Sequence, residues 1–244
     1  MAKIIALQHI DREGPGLFEK VANERGIRTI VKRLDRGENL DCLEKDDLVL
    51  ILGGPMGIKD ISNPLYSWIS KEIDIIKYAV KNNIRLIGVC FGAQLIAYAL
   101  NGKIERLLAD DHPIPKPEIG WGKVFLNESS LKPVFKPYFS DELKVLHWHG
   151  DRIVLPEKAE LIASSDRCRE QFFKFDNLTY GLQFHLEVTN EMVLRWIKED
   201  EKFIKLGLGE EADLLIREQL KRHGNSSFNS RLKLIQKIFD LILN

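Results

Sequence analysis

Gly88-Val89-Cys90-Phe91-Gly92-Ala93-Gln94 ends an apolar run in a thiol flanked by glycines, and a helical pattern starts immediately after it. The stretch reads as a nucleophile elbow, a sharp strand-to-helix turn. Its small flanking residues let the backbone pass close to its neighbours and lift the apical side chain into the open. Cys90 stands at that apex. The partial positive charge at the N-terminus of the following helix, Phe91 to Leu100, favours the thiolate, which is the reactive form. A buried cysteine packed as a small hydrophobe is the competing reading. It is adopted for Cys42 and Cys168, while the glycine spacing sets Cys90 apart.

Working outward, short apolar runs at Ile4 to Leu7, Ile27 to Leu34, Leu48 to Leu52 and Leu86 to Val89 alternate with helical stretches at Gly16 to Arg25 and Leu65 to Lys81, as a parallel sheet wound with helices requires. After Gly102 the texture changes. Val124 to Leu126, Val145 to Trp148, Leu161 to Ala163, Phe172 to Phe175 and Thr179 to Phe184 are short and rich in β-branched and aromatic residues, which predicts added, mostly antiparallel strands. Pro113, Pro115 and Pro117 mark an irregular connector. From Asn190 the pattern is helical, broken at Gly207-Leu208-Gly209 and Gly224-Asn225, which predicts three helices. In the last of them Phe228, Leu232, Ile235, Phe239 and Ile242 form an apolar face broadened by Leu234, Ile238 and Leu241. Packing on the same subunit is favoured over a homo-oligomer contact for that face. The expected organisation is a domain over 1–189 with a helical extension over 190–244.

The 244 residues can bury one substantial core. Lys plus Arg and Asp plus Glu both number 36, so the net charge is zero and no global attraction to nucleic acid or an anionic membrane is expected. Three scattered cysteines suit a reducing compartment. No segment approaches transmembrane length or forms a secretory signal, so cytoplasm is the expected location.

A nucleophilic cysteine needs a base, and Gln183-Phe184-His185-Leu186-Glu187 supplies one at the end of an expected strand. In an extended chain His185 and Glu187 share a face, so the carboxylate can orient the imidazole and stabilise its charged form. His147 and His149 share a face in the same way. A zinc site, however, wants three or four ligands, and a metal would compete for the thiolate. No metal is expected, and the pair is read as lining a substrate pocket or as packing. For the oxyanion of a carbonyl under attack, the elbow itself positions the amide of Phe91. A second donor is available where the buried run Ile51-Leu52 opens into Gly53-Gly54-Pro55-Met56-Gly57. A phosphate cradle is disfavoured there, because no Gly-Lys-Ser/Thr follows and Pro55 removes a donor.

Taken together with Glu118-Ile119-Gly120-Trp121 and His147-Trp148-His149-Gly150-Asp151, these segments occur in an order that resembles the class I, triad-type glutamine amidotransferases, over roughly Lys3 to Val188. The resemblance implies a three-layer, flavodoxin-like α/β fold with mostly parallel strands and helices on both faces. It also implies hydrolysis of the side-chain amide of glutamine without a cofactor. By position Cys90 would form a γ-glutamyl thioester, His185 would shuttle protons and Glu187 would orient it. Gly54 and Phe91 would give the oxyanion hole, and Gln94, His147, Trp148 and His149 would border the glutamine pocket. Leu186 stands where the family usually has proline. Family members usually pass ammonia to a synthase domain or subunit, and no such module fits in this chain, so a separate synthase subunit is a possible partner. A γ-glutamyl peptidase would use the same triad, and a non-catalytic binding subunit would keep only the fold. A cysteine α/β-hydrolase is disfavoured, because there the acid precedes the histidine in the chain.

Overall fold

The computed structural model describes residues 2–40, 42–109, 112–141 and 143–243. In chain order the first half contains β1 (Lys3–Leu7), α1 (Gly16–Glu24), β2 (Arg28–Lys32), β3 (Leu48–Ile51), α2 (Trp68–Lys81), β4 (Arg85–Val89) and α3 (Phe91–Ala99). There follow β5 (Lys103–Arg106), β6 (Leu108–Ala109), β7 (His112–Pro115), β8 (Glu118–Gly122), β9 (Phe125–Leu126) and the single turn α4 (Lys132–Phe135). The second half contains β10 (Val145–His149), β11 (Asp151–Val154), β12 (Glu160–Ser164), β13 (Phe172–Asp176) and β14 (Thr179–Leu182). Four helices close the chain: α5 (Asn190–Glu199), α6 (Glu201–Leu208), α7 (Ala212–His223) and α8 (Phe228–Leu243).

Eight strands form the main sheet in the order β2-β1-β3-β4-β14-β13-β12-β9. The first five are parallel and the last three antiparallel. The alternation of a strand's side chains explains the two cores. Ile4, Ala6, Leu48, Leu50, Ile87 and Val89 face α1 and α8, whereas Ile5, Leu7, Val49, Ile51 and Leu86 face α2 and α3. The fold is thus α/β with helices on both faces of a mostly parallel sheet. No helix among the described residues is long and apolar enough to cross a membrane.

Several sequence expectations shift. The second apolar run yields only β2, because Leu34 starts a 3-10 turn. The helix expected from Leu65 starts at Trp68, behind a 3-10 turn over Pro64–Tyr66. The proline connector carries the β6/β7 hairpin, and β5 and β11 form a ribbon that the sequence pattern did not reveal. Cys42 is exposed rather than buried, since the segment before β3 is irregular. The expected three C-terminal helices are four, because the chain breaks again at Asp200.

The apolar face of α8 is buried through Leu234, Ile235, Ile238, Phe239 and Ile242, with Phe239 stacked on Phe18 of α1. On its other side α8 buries Arg231 completely. That guanidinium donates to the carbonyls of Leu186 (3.1 Å), Val188 (2.6 Å) and Gly224 (3.2 Å) and lies over the Trp121 ring. Burial lowers its pKa to about 10, which leaves it charged at neutral pH.

Candidate active site

The carboxyl ends of β1, β3, β4 and β14 meet at one edge of the sheet, where ligands of open α/β folds bind. Each end delivers one part of the site.

The end of β4 delivers Cys90, in a strained conformation with φ 50° and ψ −107°. For a residue other than glycine such a backbone costs of order 1–3 kcal/mol and is held by its surroundings. Here the Cys90 amide donates to the Leu182 carbonyl at 2.7 Å. The flanking glycines are sterically required. A Cβ on Gly88 would come within 2.6 Å of the Gly92 and Ala93 backbone, and one on Gly92 would collide with the Ile51 carbonyl. Phe91 is the first residue of α3, so its amide has no acceptor inside the helix.

The regular strand β14 ends at Leu182 rather than at Phe184, and the chain bends at Gln183 and Phe184 and again at Leu186 and Glu187. His185 makes a bridge to Leu146 instead, with its amide donating to the Leu146 carbonyl at 2.9 Å. His185 and Glu187 are each 1 % exposed. Nδ1 of His185 lies 2.6 Å from Glu187 Oε1 and donates to it, as a carboxylate can only accept. Nε2 has no hydrogen bond of normal geometry, and the group beside it is the Cys90 thiol. Burial alone would suppress the imidazolium, but Glu187 and Cys90 outweigh it and hold the pKa well above the ordinary histidine value. Where the family usually has proline, Leu186 is pinned from outside: Arg231 takes the carbonyls of Leu186 and Val188, and the Leu17 amide of α1 takes that of Glu187 at 2.9 Å.

The end of β3 delivers Gly53 and Gly54. A side-chain carbon on Gly53 would lie 3.2 Å from Cε1 of His185 and 3.6 Å from Cβ of Cys90, and would collide with the Glu13 carboxylate. Glycine alone leaves room where those three groups converge. The loop is anchored from below by His9, at the end of β1. Its Nδ1 meets the Gly53 carbonyl at 2.9 Å, and its Nε2 meets Glu72 at 3.0 Å. With acceptors at both nitrogens the ring carries both protons. Burial works against that charge, but Glu72 outweighs it and raises the pKa. The ring also stacks on Trp68 and meets the edge of Phe91. One buried ion pair therefore touches both segments that carry the candidate oxyanion donors, Gly54 and Phe91.

A cavity of about 280 Å³ opens over Cys90, the size for a ligand of amino-acid dimensions. Gly54, Phe91, Gln94, Trp148 and His149 line it, whereas His147 does not. Gln94 donates to Gln183 Oε1 at 3.3 Å, and Gln183 Nε2 lies 3.6 Å from Cys90 Sγ. Sequence reasoning missed Gln183, although it adjoins the His185 motif. It also missed Arg12, Glu13, Asp200 and Phe203, which line the cavity as well. Arg12 Nη2 donates to both Asp200 oxygens at 2.8 and 2.7 Å, and Trp148 Nε1 donates to the same carboxylate at 3.1 Å. Asp200 can reach inward because the helix breaks there. Glu13 is buried in the wall, and burial raises its carboxyl pKa to about 7 against the pull of His185 and Arg12.

Two relatives and one solved structure bear on this arrangement. The glutamine amidotransferase-like protein YfeJ of Salmonella typhimurium is 30% identical over 196 residues, covering 80% of this chain and 79% of its own. Gamma-glutamyl peptidase 4 of Arabidopsis thaliana is 30% identical over 131 residues, 52% of this chain and 49% of its own. A crystal structure of a glutamine amidotransferase from Thermotoga maritima superposes with a TM-score of 0.83 at 25% identity, covering 100% of this chain and 99% of that one. The family model described as glutamine amidotransferase class-I matches residues 17–196. With that match across most of its length, and with the fold to accompany it, the chain belongs to the class-I glutamine amidotransferases.

Proposed function

We propose that the chain hydrolyses the side-chain amide of glutamine through a covalent cysteine intermediate. Cys90 Sγ attacks the amide carbonyl carbon, and the carbonyl oxygen becomes an oxyanion held by the amides of Gly54 and Phe91. His185, charged by the thiol's proton, gives that proton to the nitrogen as the carbon–nitrogen bond breaks. Ammonia leaves, and a γ-glutamyl thioester remains. His185 then takes a proton from water, the hydroxide attacks the thioester carbon, and the carbon–sulfur bond breaks to release glutamate and restore the thiol. Glu187 keeps the imidazole in the productive tautomer throughout. Gln94, Trp148 and His149 border the glutamine, and no step requires a cofactor.

The observation that carries this reading is the placement of the His185 ring, with one nitrogen on Glu187 and the other beside Cys90. Ammonia release from glutamine tests it. Cys90→Ala and His185→Ala should each abolish release, and turnover persisting in Cys90→Ala would refute the assignment. Family membership also makes a separate synthase subunit, fed with the ammonia, part of the proposal. We take 1–189 as the catalytic unit and 190–244 as an extension that completes its pocket through Asp200 and Phe203.

A second reading, hydrolysis of a γ-glutamyl peptide by the same chemistry, is favoured by one feature. Arg106 and Lys59 line the same cavity as Cys90, and a peptide leaving group carries a carboxylate that such cations would hold. Comparing kcat/KM for glutamine and for a γ-glutamyl dipeptide chooses between the two.

A further inference from the structure

Behind the pocket wall the fold gathers a second set of chemical groups. Glu118 of β8 and His147 and His149 of β10 are buried, with one donor atom from each lying within 4.8 Å of the others. The sequence spacing offered only the two histidines. Antiparallel pairing supplies the third group: His149 sits directly opposite Glu118, and His147, two residues away on the same strand, shares its face.

The donor atoms of both histidines converge on one oxygen, Glu118 Oε2. Nδ1 of His149 lies 2.9 Å from the Asp151 carbonyl and must carry a proton to bond it. Its Nε2 lies 3.1 Å from Glu118 Oε2 and 3.4 Å from Gln171 Nε2. Nδ1 of His147 is 3.6 Å from the same oxygen, and neither ring nitrogen of His147 has a hydrogen bond of normal geometry. An imidazole buried with neither nitrogen partnered needs an explanation. A cation held between His147, His149 and Glu118 supplies that partner.

The spacing fits such an ion. Tetrahedral zinc with bonds of about 2.0–2.1 Å places neighbouring ligand atoms roughly 3.3 Å apart, and the observed 3.1 and 3.6 Å bracket that value. Outer partners of the kind that orient metal ligands are also present: the Asp151 carbonyl holds His149, and Gln171 Nε2 donates to Glu118 Oε2 at 2.7 Å. A cavity of about 370 Å³, distinct from the one over Cys90, reaches Glu118 and His147 and gives an entry path and room for a water as fourth ligand.

We propose that Glu118, His147 and His149 bind one divalent transition-metal ion, zinc by its donor set, which staples β8 to β10 and steadies the Trp148–His149 wall of the pocket. The ion is structural and touches no reacting atom, so the inference stands or falls independently of the proposed hydrolysis.

The test uses the full chain carrying Cys90→Ala, so that the catalytic thiol cannot take the metal. After chelation and dialysis, zinc and cobalt(II) are titrated by calorimetry and visible absorption. The expected result is one equivalent per chain, a cobalt spectrum with the intense visible bands of low coordination number and no thiolate-to-metal charge transfer, and a melting temperature that rises with zinc. His147→Gln and Glu118→Gln should each weaken binding at least tenfold. No binding at micromolar zinc, affinity unchanged in both variants, or a thiolate signature would overturn the proposal. If a variant fails to fold, the stoichiometry and cobalt spectrum of the parent decide alone. Absence of binding there would mean that a proton on His149, not a metal, joins it to Glu118.

Discussion

Replacing Glu13 with glutamine should make the protein more stable at alkaline pH and leave it nearly unchanged in acid. Burial raises the Glu13 carboxyl from 4.5 to about 7, so between those values the folded chain holds a proton that the unfolded chain has released. Stability therefore falls as pH rises through that window, because the native state binds more protons there. A shift of about 2.5 units corresponds to roughly 3 kcal/mol at 1.36 kcal/mol per unit. For a chain of this length that is on the order of 6–12 °C in melting temperature. Glutamine keeps the shape and removes the ionisation. Thermal unfolding of both proteins at pH 4, below the window, and at pH 8 should show nearly equal melting temperatures at the first and a higher one for Glu13→Gln at the second. An equal difference at both pH values, or destabilisation at pH 8, would refute the reasoning. Glu13 meets His185 and Cys90 above Gly53, so the stabilised variant should also turn over more slowly, as functional sites commonly trade stability for activity.

Three further outcomes follow from the packing around the site. Glu72→Gln removes the charge that holds His9 against the Gly53 carbonyl, and steady-state kinetics should show kcat falling by roughly tenfold or more with KM little changed, as for a displaced oxyanion donor. Arg231→Met strips three buried carbonyls of their donor and should cost about 3 kcal/mol or more in chemical denaturation, with Arg231→Lys recovering part of the loss. Asp200→Ala frees Arg12 and the Trp148 indole at the pocket wall. KM should rise several-fold while Cys90 alkylation by iodoacetamide stays at the parental rate.

The proposed triad was legible because each member sits in a contiguous motif. Gly88 to Gln94 encodes a turn that its glycines make possible, and the close spacing of His185 and Glu187 lets their side chains meet, although through a bent segment rather than the extended one expected. The parallel half of the sheet was legible for a related reason, since strands buried on both faces read as unbroken apolar runs. What was missed has no local pattern. Asp200 lies in Lys198-Glu199-Asp200-Glu201-Lys202, which reads as the solvated face of one helix; only the tertiary contact with Arg12 shows why the helix breaks. Arg231 looks like an ordinary polar residue of an amphipathic helix until its carbonyl partners at Leu186 and Val188, more than forty residues away, are known. His9 and Glu72 are 63 residues apart. Gln183, beside the His185 motif, and Glu13 did have local cues, the latter because Glu13-Gly14-Pro15-Gly16 brings an acidic side chain to the carboxyl end of a buried strand. The histidine pair on β10 was recognised, but its third partner depends on strand register, which residue spacing does not reveal.

The account rests most heavily on a covalent bond between Cys90 and the acyl group of the substrate. Acid-quenching the protein during turnover of glutamine and mapping its peptides by mass spectrometry should find one γ-glutamyl group on the Cys90 peptide, strongly reduced in His185→Ala, which cannot protonate the departing nitrogen, and absent in Cys90→Ala. Active protein with an unmodified Cys90 peptide at every quench time, together with ammonia release by Cys90→Ala, would contradict it.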